Sequence, residues 1–277
     1  MQAYEYIQQP KVEATIYKDD YNRRLRVDEF RGNAGRLLEH MVNMAETHRF
    51  EKFIVKAKSN QVAHLIEKGF IVEGGVNGYF RGDSAFFMSK FLTDDRRNSS
   101  FWRKEDDILQ AVQQLDRKSM EGSGLISVAT GGHAEKLADL YQEVFTLYPV
   151  PLQDPDYIKE SMKNGTIFVY IEEGGRIISA ASAEISATNK NAELTDCATR
   201  SSHRKGGYMK HLLTKLEDEL VKQNIFCAYT IARALSFGMN AAFHQLGYRY
   251  GGRLANNCII FDKMEDMNIW EKDLSER

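Results

Sequence analysis

The feature that most constrains this chain lies at residues 192–220. A stretch with strand-like alternation, AELTDCAT, runs into a polar loop, RSSHRKGG, and then into a helix that carries Leu212, Leu213, Leu216 and Leu220 on one face. A strand that feeds a helix through a basic, glycine-containing loop gathers free backbone N–H groups and positive charge at a helix start, which is how a fold holds an anion. Gly206 and Gly207 permit close approach of the backbone, and Arg204, Lys205 and Lys210 add charge around it. Such a unit requires an α/β chain with helices packed on a sheet.

The rest of the second half fits that requirement. LISVAT (125–130) reads as a strand, Thr130 as a cap, and 133–145 as a helix with Leu137, Leu140, Tyr141 and Val144 on one face. Pro149, Pro151 and Pro155 make 148–157 a connection, and 156–163 a second helix. TIFVYI (166–171) and RIISAASAEI (176–185) form a hairpin across Gly174 and Gly175. After the strand at 192–199 and its helix come a strand at 226–232, a helix at 238–246 and two last strands around 248–254 and 258–261. The order is β-α-α-β-β-β-α-β-α-β-β.

Residues 23–92 repeat the later part of that order. A strand at 23–30 leads through Arg31-Gly32-Asn33-Ala34-Gly35 to a helix with Leu37, Leu38, Met41 and Val42, then to a strand at 52–57, a helix at 61–68 and strands near 70–76 and 85–92. Arg31 to Phe53 and Arg204 to Phe226 share one spacing, 22 residues. A duplication is inferred, with a joint at 120–124 dividing a degenerate N-terminal copy with a linker helix (1–120) from a second domain (121–277). Too little strand precedes 23–30 for a complete ligand cleft, so the first copy is assigned to packing, dimerisation or closure over the other's site.

The 37 basic and 39 acidic residues nearly cancel, leaving a net charge of −2, which argues against a nucleic-acid backbone as partner. Cys197, Cys227 and Cys258 are unpaired in spacing and the seven histidines show no ligand pattern, so neither disulfides nor a metal is expected. No window has the apolar length to span a bilayer and residues 1–17 lack a signal-peptide core, so a cytoplasmic protein without a membrane partner is expected.

Arg204-Lys205-Gly206-Gly207-Tyr208-Met209 resembles the R/Q-x-x-G-x-G/A pyrophosphate loop of the GNAT superfamily of N-acetyltransferases, with Met209 in place of the final small residue. The segment from Asn240 to Gly247-Tyr248 is similar to that superfamily's N-x-x-x-x-x-L-G-[FY] element. The runs TIARALSFGMN, GYRYGGRLANN and MNIW narrow the resemblance to the β-lysine N6-acetyltransferase family, over essentially the whole chain. The resemblance implies a GNAT fold with a mixed central sheet, preceded by a half-GNAT-like N-terminal domain. It implies acetyl-CoA as co-substrate, held by Cys197, Ala198, Thr199, Arg204, Lys205, Gly206, Gly207, Tyr208, Met209, Asn240 and Phe243. It further implies transfer to the ε-amine of (S)-β-lysine, giving the compatible solute N6-acetyl-β-lysine, beside lysine 2,3-aminomutase; the alternatives are a polyamine, another amino acid or a protein lysine as acceptor, or, given Met209 and Phe243, an acyl-CoA-binding sensor or scaffold without catalysis. A homodimer is compatible with it.

An ε-amine is free base in only about 1 molecule in 2,500 at pH 7, so the reaction needs a proton acceptor. Glu193 has the spacing to Arg204 of the superfamily's general-base glutamate; the alternative is a solvated strand-end charge. Strict alternation places Glu193, Thr195 and Cys197 on one face and Asp196 on the other. Asp196, inside the strand, needs a partner, which is either the substrate's amine or an internal cation such as Arg200 or Arg233. Phe243 stands where the superfamily's general-acid tyrosine is expected, leaving Tyr229, Tyr248 or water to protonate the thiolate. Arg233 is assigned to the substrate carboxylate ahead of Arg249 and Arg253, and Tyr170 and Glu184 to the amine pocket. Ser236 and Asn240 also suit cap positions, and Cys197 is read as packing rather than as a nucleophile.

Overall fold

The computed structural model describes residues 3–118, 126–145, 148, 150–204, 206–260 and 263–276. The joint at 120–124 and Lys205 lie outside the described residues. In chain order the elements are β1 (Ala3–Gln9), β2 (Val12–Asp19), β3 (Arg24–Gly32), α1 (Ala34–His48), β4 (Lys52–Lys58), α2 (Val62–Glu67), β5 (Ile71–Gly78), β6 (Gly82–Phe91), α3 (Asp94–Arg97) and α4 (Trp102–Gln113). They continue as β7 (Ile126–Val128), α5 (Ala134–Val144), α6 (Pro155–Lys163), β8 (Ile167–Glu173), β9 (Arg176–Ser186), β10 (Asn191–Thr199), α7 (Tyr208–Lys222), β11 (Cys227–Arg233), α8 (Phe237–Gln245), β12 (Arg249–Ile260) and β13 (Lys263–Asp273). Among the described residues no helix is long and apolar enough to cross a membrane.

Two compact units divide the chain differently from a single cut near residue 120. The first contains 1–108 together with 233–235 and 251–269, and the second contains 109–232, 236–250 and 270–277. The first unit has its strands in the order β1-β2-β3-β4-β6-β5, with β12 beside β5. Here β1, β2 and β3 form an antiparallel meander, and α1 carries the chain from β3 to its parallel neighbour β4. Leu25, Val27, Phe53 and Val55 bury their side chains with Leu37 and Met41 of α1. At its contact with β5, β12 presents Gly252 opposite Gly74; a Cβ on Gly252 would collide with the Glu73 carbonyl, and its φ of 137° favours glycine.

The second unit has the order β11-β10-β9-β8-β7, with the end of β13 beside β11. β8, β9 and β10 form an antiparallel meander, and α7 carries the chain from β10 to its parallel neighbour β11. Leu137, Leu140 and Tyr141 of α5 and Ile158 of α6 pack with Phe168, Tyr170 and Ala180. Each unit therefore contains a three-strand meander followed by a helical crossover to a parallel strand. The expectation of too little strand before β3 is corrected by β1 and β2. Their turn uses Lys11 at φ 71°, where the sequence offers no glycine, and β1 leaves Tyr4 and Tyr6 62% exposed, so no continuous apolar signal marks the pair. The two strands expected around 248–254 and 258–261 are one strand, β12, and β13 lies beyond both, where the buried polar residues Glu265, Asp266 and Asn268 hide it from an apolar pattern.

Candidate active site

The second unit's site grows from an irregularity in β10. Thr195 pairs with Ser182 and Ala198 with Ala180, so β10 takes three steps where β9 takes two. The extra residue is a β-bulge, with Asp196 at φ 51°. A bulge breaks period-2 alternation, and this corrects the strict-alternation assignment: Asp196 reaches Ser182, whose strand position shares a face with Thr195 and, two pairs further on, with the opposed Glu193 and Glu184. Glu193, Asp196 and Ser182 are thereby drawn to one side of the sheet.

Asp196 is 3% exposed. Ser182 Oγ donates to its Oδ2 at 2.6 Å, and Tyr148 Oη, from the connection between α5 and α6, donates to its Oδ1 at 2.9 Å. Burial pushes its carboxyl up to about 6, against the pull of these two hydrogen bonds and with some help from the Glu193 charge. Neither cation considered from the sequence pairs with it. Arg200 binds Asp139 at 2.6 Å, Glu143, and the Ile177 carbonyl at 2.8 Å, tying the end of β10 to α5. Arg233 sits in the first unit, its Nε and Nη2 each 2.8 Å from a Glu265 carboxylate oxygen, so this side of its fork is committed there instead of open to a substrate carboxylate. Arg249 is likewise paired with Glu271, and Arg253 with Asp106 and Asn268.

Glu193 is half-buried and accepts a hydrogen bond from Tyr229 Oη at 3.1 Å. This pair is the last rung of the short ladder between β10 and β11; beyond it β10 runs on to Thr199 and β11 to Arg233 without ladder pairs. Exposed Glu184 lies opposite Glu193 on β9, while Tyr170 is buried on β8 with its ring 4.9 Å from that of His133. Cys197 is half-buried, and desolvation followed by the Asp196 charge pushes its thiol up, which suits packing and not a nucleophilic thiolate. Ala198 is in the core, and Thr199 shares a 2.7 Å hydrogen bond with Ser179.

After β10, Arg204, Gly206 and Gly207 are exposed. Gly207 is the N-cap of α7 at φ 73°, with no side chain capping the helix and no acid in its first turn. Tyr208 and Met209 open the helix, and Lys210 Nζ bonds Gln245 at 3.1 Å. At α8, Ser236 is the N-cap through its carbonyl only. Asn240 is fully buried between the Ser236 carbonyl and Trp270, and Phe243 packs edge-on to Tyr248 at 5.1 Å. Tyr148, Ser182 and Tyr141 were not singled out in the sequence. Tyr148 lies in a proline-rich connection without periodicity, and Ser182 in a run of small residues that reads as packing. The Tyr141 phenol is buried, without a hydrogen bond among the described residues, and is raised well above its usual range by burial, Asp196 and Cys197.

These features suit acetyl-CoA. An uncapped helix start beside exposed Arg204 offers N–H groups to a pyrophosphate, and the bulged end of β10, paired with β9 but no longer with β11, offers backbone groups on its β11 side to an extended arm. When bound, this co-substrate supplies an activated thioester acyl group.

Residues 134–248 match the Acetyltransferase (GNAT) family. The chain is 37% identical to N-acetyltransferase YodP of Bacillus subtilis over 95% of its length and 97% of that protein. It is 33% identical to a β-lysine N(6)-acetyltransferase of Methanococcus maripaludis (95% and 97% covered) and 36% identical to one of Methanosarcina mazei (82% and 93% covered). The chain belongs to the GNAT acetyltransferases, in the family of the β-lysine N6-acetyltransferases, and is an acetyl-CoA-dependent N-acetyltransferase.

Proposed function

We propose that the chain transfers acetyl from acetyl-CoA to the N6 amine of (S)-β-lysine by direct attack in a ternary complex, giving N6-acetyl-β-lysine as a cytoplasmic compatible solute in osmoadaptation. The observation that carries this reading is Asp196: a buried carboxylate, held by hydroxyls and by no cation among the described residues, beside half-buried Glu193 and exposed Glu184. Such a surface attracts a substrate with two ammonium groups. Substrate and acyl donor need only be positioned and one proton removed. Gly206, Gly207, Arg204 and the start of α7 hold the pyrophosphate; Lys205 is assigned to the same loop. Cys197, Ala198, Thr199, Tyr208, Met209 and Phe243 form the surroundings of the co-substrate, and Asn240 supports them through α8. Glu193 and Tyr229 act together near the amine, and Tyr170 and Glu184 line its approach. Supply of β-lysine by lysine 2,3-aminomutase and assembly as a homodimer complete the reading.

A polyamine acceptor would also suit the acidic surface, because it brings cations without a carboxylate and the Arg233 fork is already engaged by Glu265. Thiol release from acetyl-CoA with β-lysine, α-lysine, ornithine and spermidine in parallel separates the two. A kcat/KM at least tenfold higher for β-lysine supports the proposal, and a preference for spermidine replaces it.

A further inference from the structure

The two units contain an internal control for the site. In the first unit β3 also carries a bulge, Glu29 pairing with Thr15 and Val27 with Ile16. The carboxylate in it, Asp28, meets two cations of the protein's own: Lys56 Nζ at 2.9 Å and Arg26 Nε at 2.7 Å. Against the upward push of burial, these cations hold Asp28 well below the usual carboxylate range. Lys56 is the fifth residue of the seven-residue strand β4; the fifth residue of the seven-residue strand β11 is Ile231. The second unit thus keeps the bulge and a carboxylate but has an apolar side chain where the first has an ammonium. Asp196 instead accepts from two neutral hydroxyls, and each carboxylate oxygen retains a further lone pair.

We infer that Asp196, and not Glu193, takes the proton from the acceptor amine, and that Tyr148 and Ser182 are positioning residues that fix its carboxylate. The inference rests on acetyl transfer to an amine and is independent of which amine it is. The bound ammonium gives one proton to Asp196; its nitrogen forms the new C–N bond as the C–S bond breaks. The nitrogen's second proton leaves with the sulfur as the thiol, and Asp196 returns its proton to solvent. Glu193 is already engaged by Tyr229 and half-exposed, which leaves it less suited to the task. The titratable groups facing Asp196 are Tyr148, Tyr141 of α5, and Glu193 and Cys197 of its own strand. The three neutral ones stay protonated across the working range, because burial pushes Tyr148, Tyr141 and Cys197 upward.

The test is the acidic limb of the kcat/KM pH profile, measured with whichever amine in the panel is the best acceptor. Each hydroxyl favours the charged carboxylate, so losing one raises the pH at which Asp196 ionises, by about one unit. Tyr148→Phe, which keeps the ring stacked on Phe145, and Ser182→Ala each move the limb upward by about that much. Asp196→Asn removes the limb and lowers kcat/KM at least 100-fold, with acetyl-CoA affinity by calorimetry within twofold of the parent as the check that the site is folded. Glu193→Gln keeps the limb and, by removing a negative charge that disfavours ionisation of Asp196, moves it slightly downward, opposite to the hydroxyl variants, whatever it does to the rate. A limb that ignores Tyr148→Phe and Ser182→Ala, or one that disappears with Glu193→Gln, overturns the inference. If Asp196→Asn does not fold, the two hydroxyl variants decide. A best acceptor other than β-lysine, with these limb shifts intact, removes the proposed substrate and leaves this inference standing.

Discussion

Trp270 donates its indole N–H to Asn240 Oδ1 at 2.8 Å, and both residues are buried. With Asn240 Nδ2 donating to the Ser236 carbonyl at 2.7 Å, the asparagine joins the start of α8 to the end of β13. Asn240→Ala leaves a buried indole N–H unpaired and is expected to cost about 1–3 kcal/mol in denaturant unfolding. Acetyl-CoA affinity of the folded protein should change less than threefold. A large loss of affinity without loss of stability would place the Asn240 side chain on the co-substrate directly.

Gly207 holds φ 73° at the start of α7, and among the described residues the space around its missing Cβ is open. Gly207→Ala therefore meets no clash and pays only for the left-handed backbone, about 1 kcal/mol. The backbone N–H groups of this turn should relax, and acetyl-CoA affinity by calorimetry is expected to fall five- to tenfold. Unchanged affinity would remove this loop from the pyrophosphate.

The first unit should bind no acetyl-CoA. Its β3 and β4 also share a short ladder, ending at Val27 and Val55, but Lys56–Asp28 at 2.9 Å and Lys58–Glu29 at 3.2 Å bridge the strands beyond it. Its helix α1 is capped by its own Asn33, which accepts from the Arg36 N–H at 3.1 Å. Calorimetric titration should give one acetyl-CoA per chain; two would contradict this.

Arg200 holds the Asp139 carboxyl below the usual carboxylate range, chiefly through its hydrogen bond. A depressed folded value contributes stability above the unfolded value, about pH 3.9, and loses it as pH falls through the folded one. Stability followed by urea unfolding should thus drop less steeply below pH 4 in Arg200→Met than in the parent. An equal slope would mean that solvent screens the pair completely, as exposed carboxylates allow.

The strand order of the second half was legible because apolar spacing and glycine turns agree there, as in 166–185, where β8 and β9 meet across Gly174 and Gly175. The loop at Arg204 and Gly207 was legible for the same reason: charge, glycine and helix onset coincide. The bulge at Asp196 was not: the consecutive polar pair Thr195-Asp196 and the small pair Cys197-Ala198 break the alternation, but a buried acid in a regular strand gives the same pattern, and an aspartate at positive φ carries no sequence mark. The partners of Asp196 were hidden with it, as was the commitment of Arg233 to Glu265, a buried acid in a strand whose charged residues read as surface.

The most direct measurement of the proposed activity is the position of the acetyl group after turnover of (S)-β-lysine, read by tandem mass spectrometry of the isolated product. A single product acetylated at N6 is expected, with one thiol released per acetyl transferred. Acetylation at the β-amine, or thiol release without an acetylated β-lysine, would contradict it.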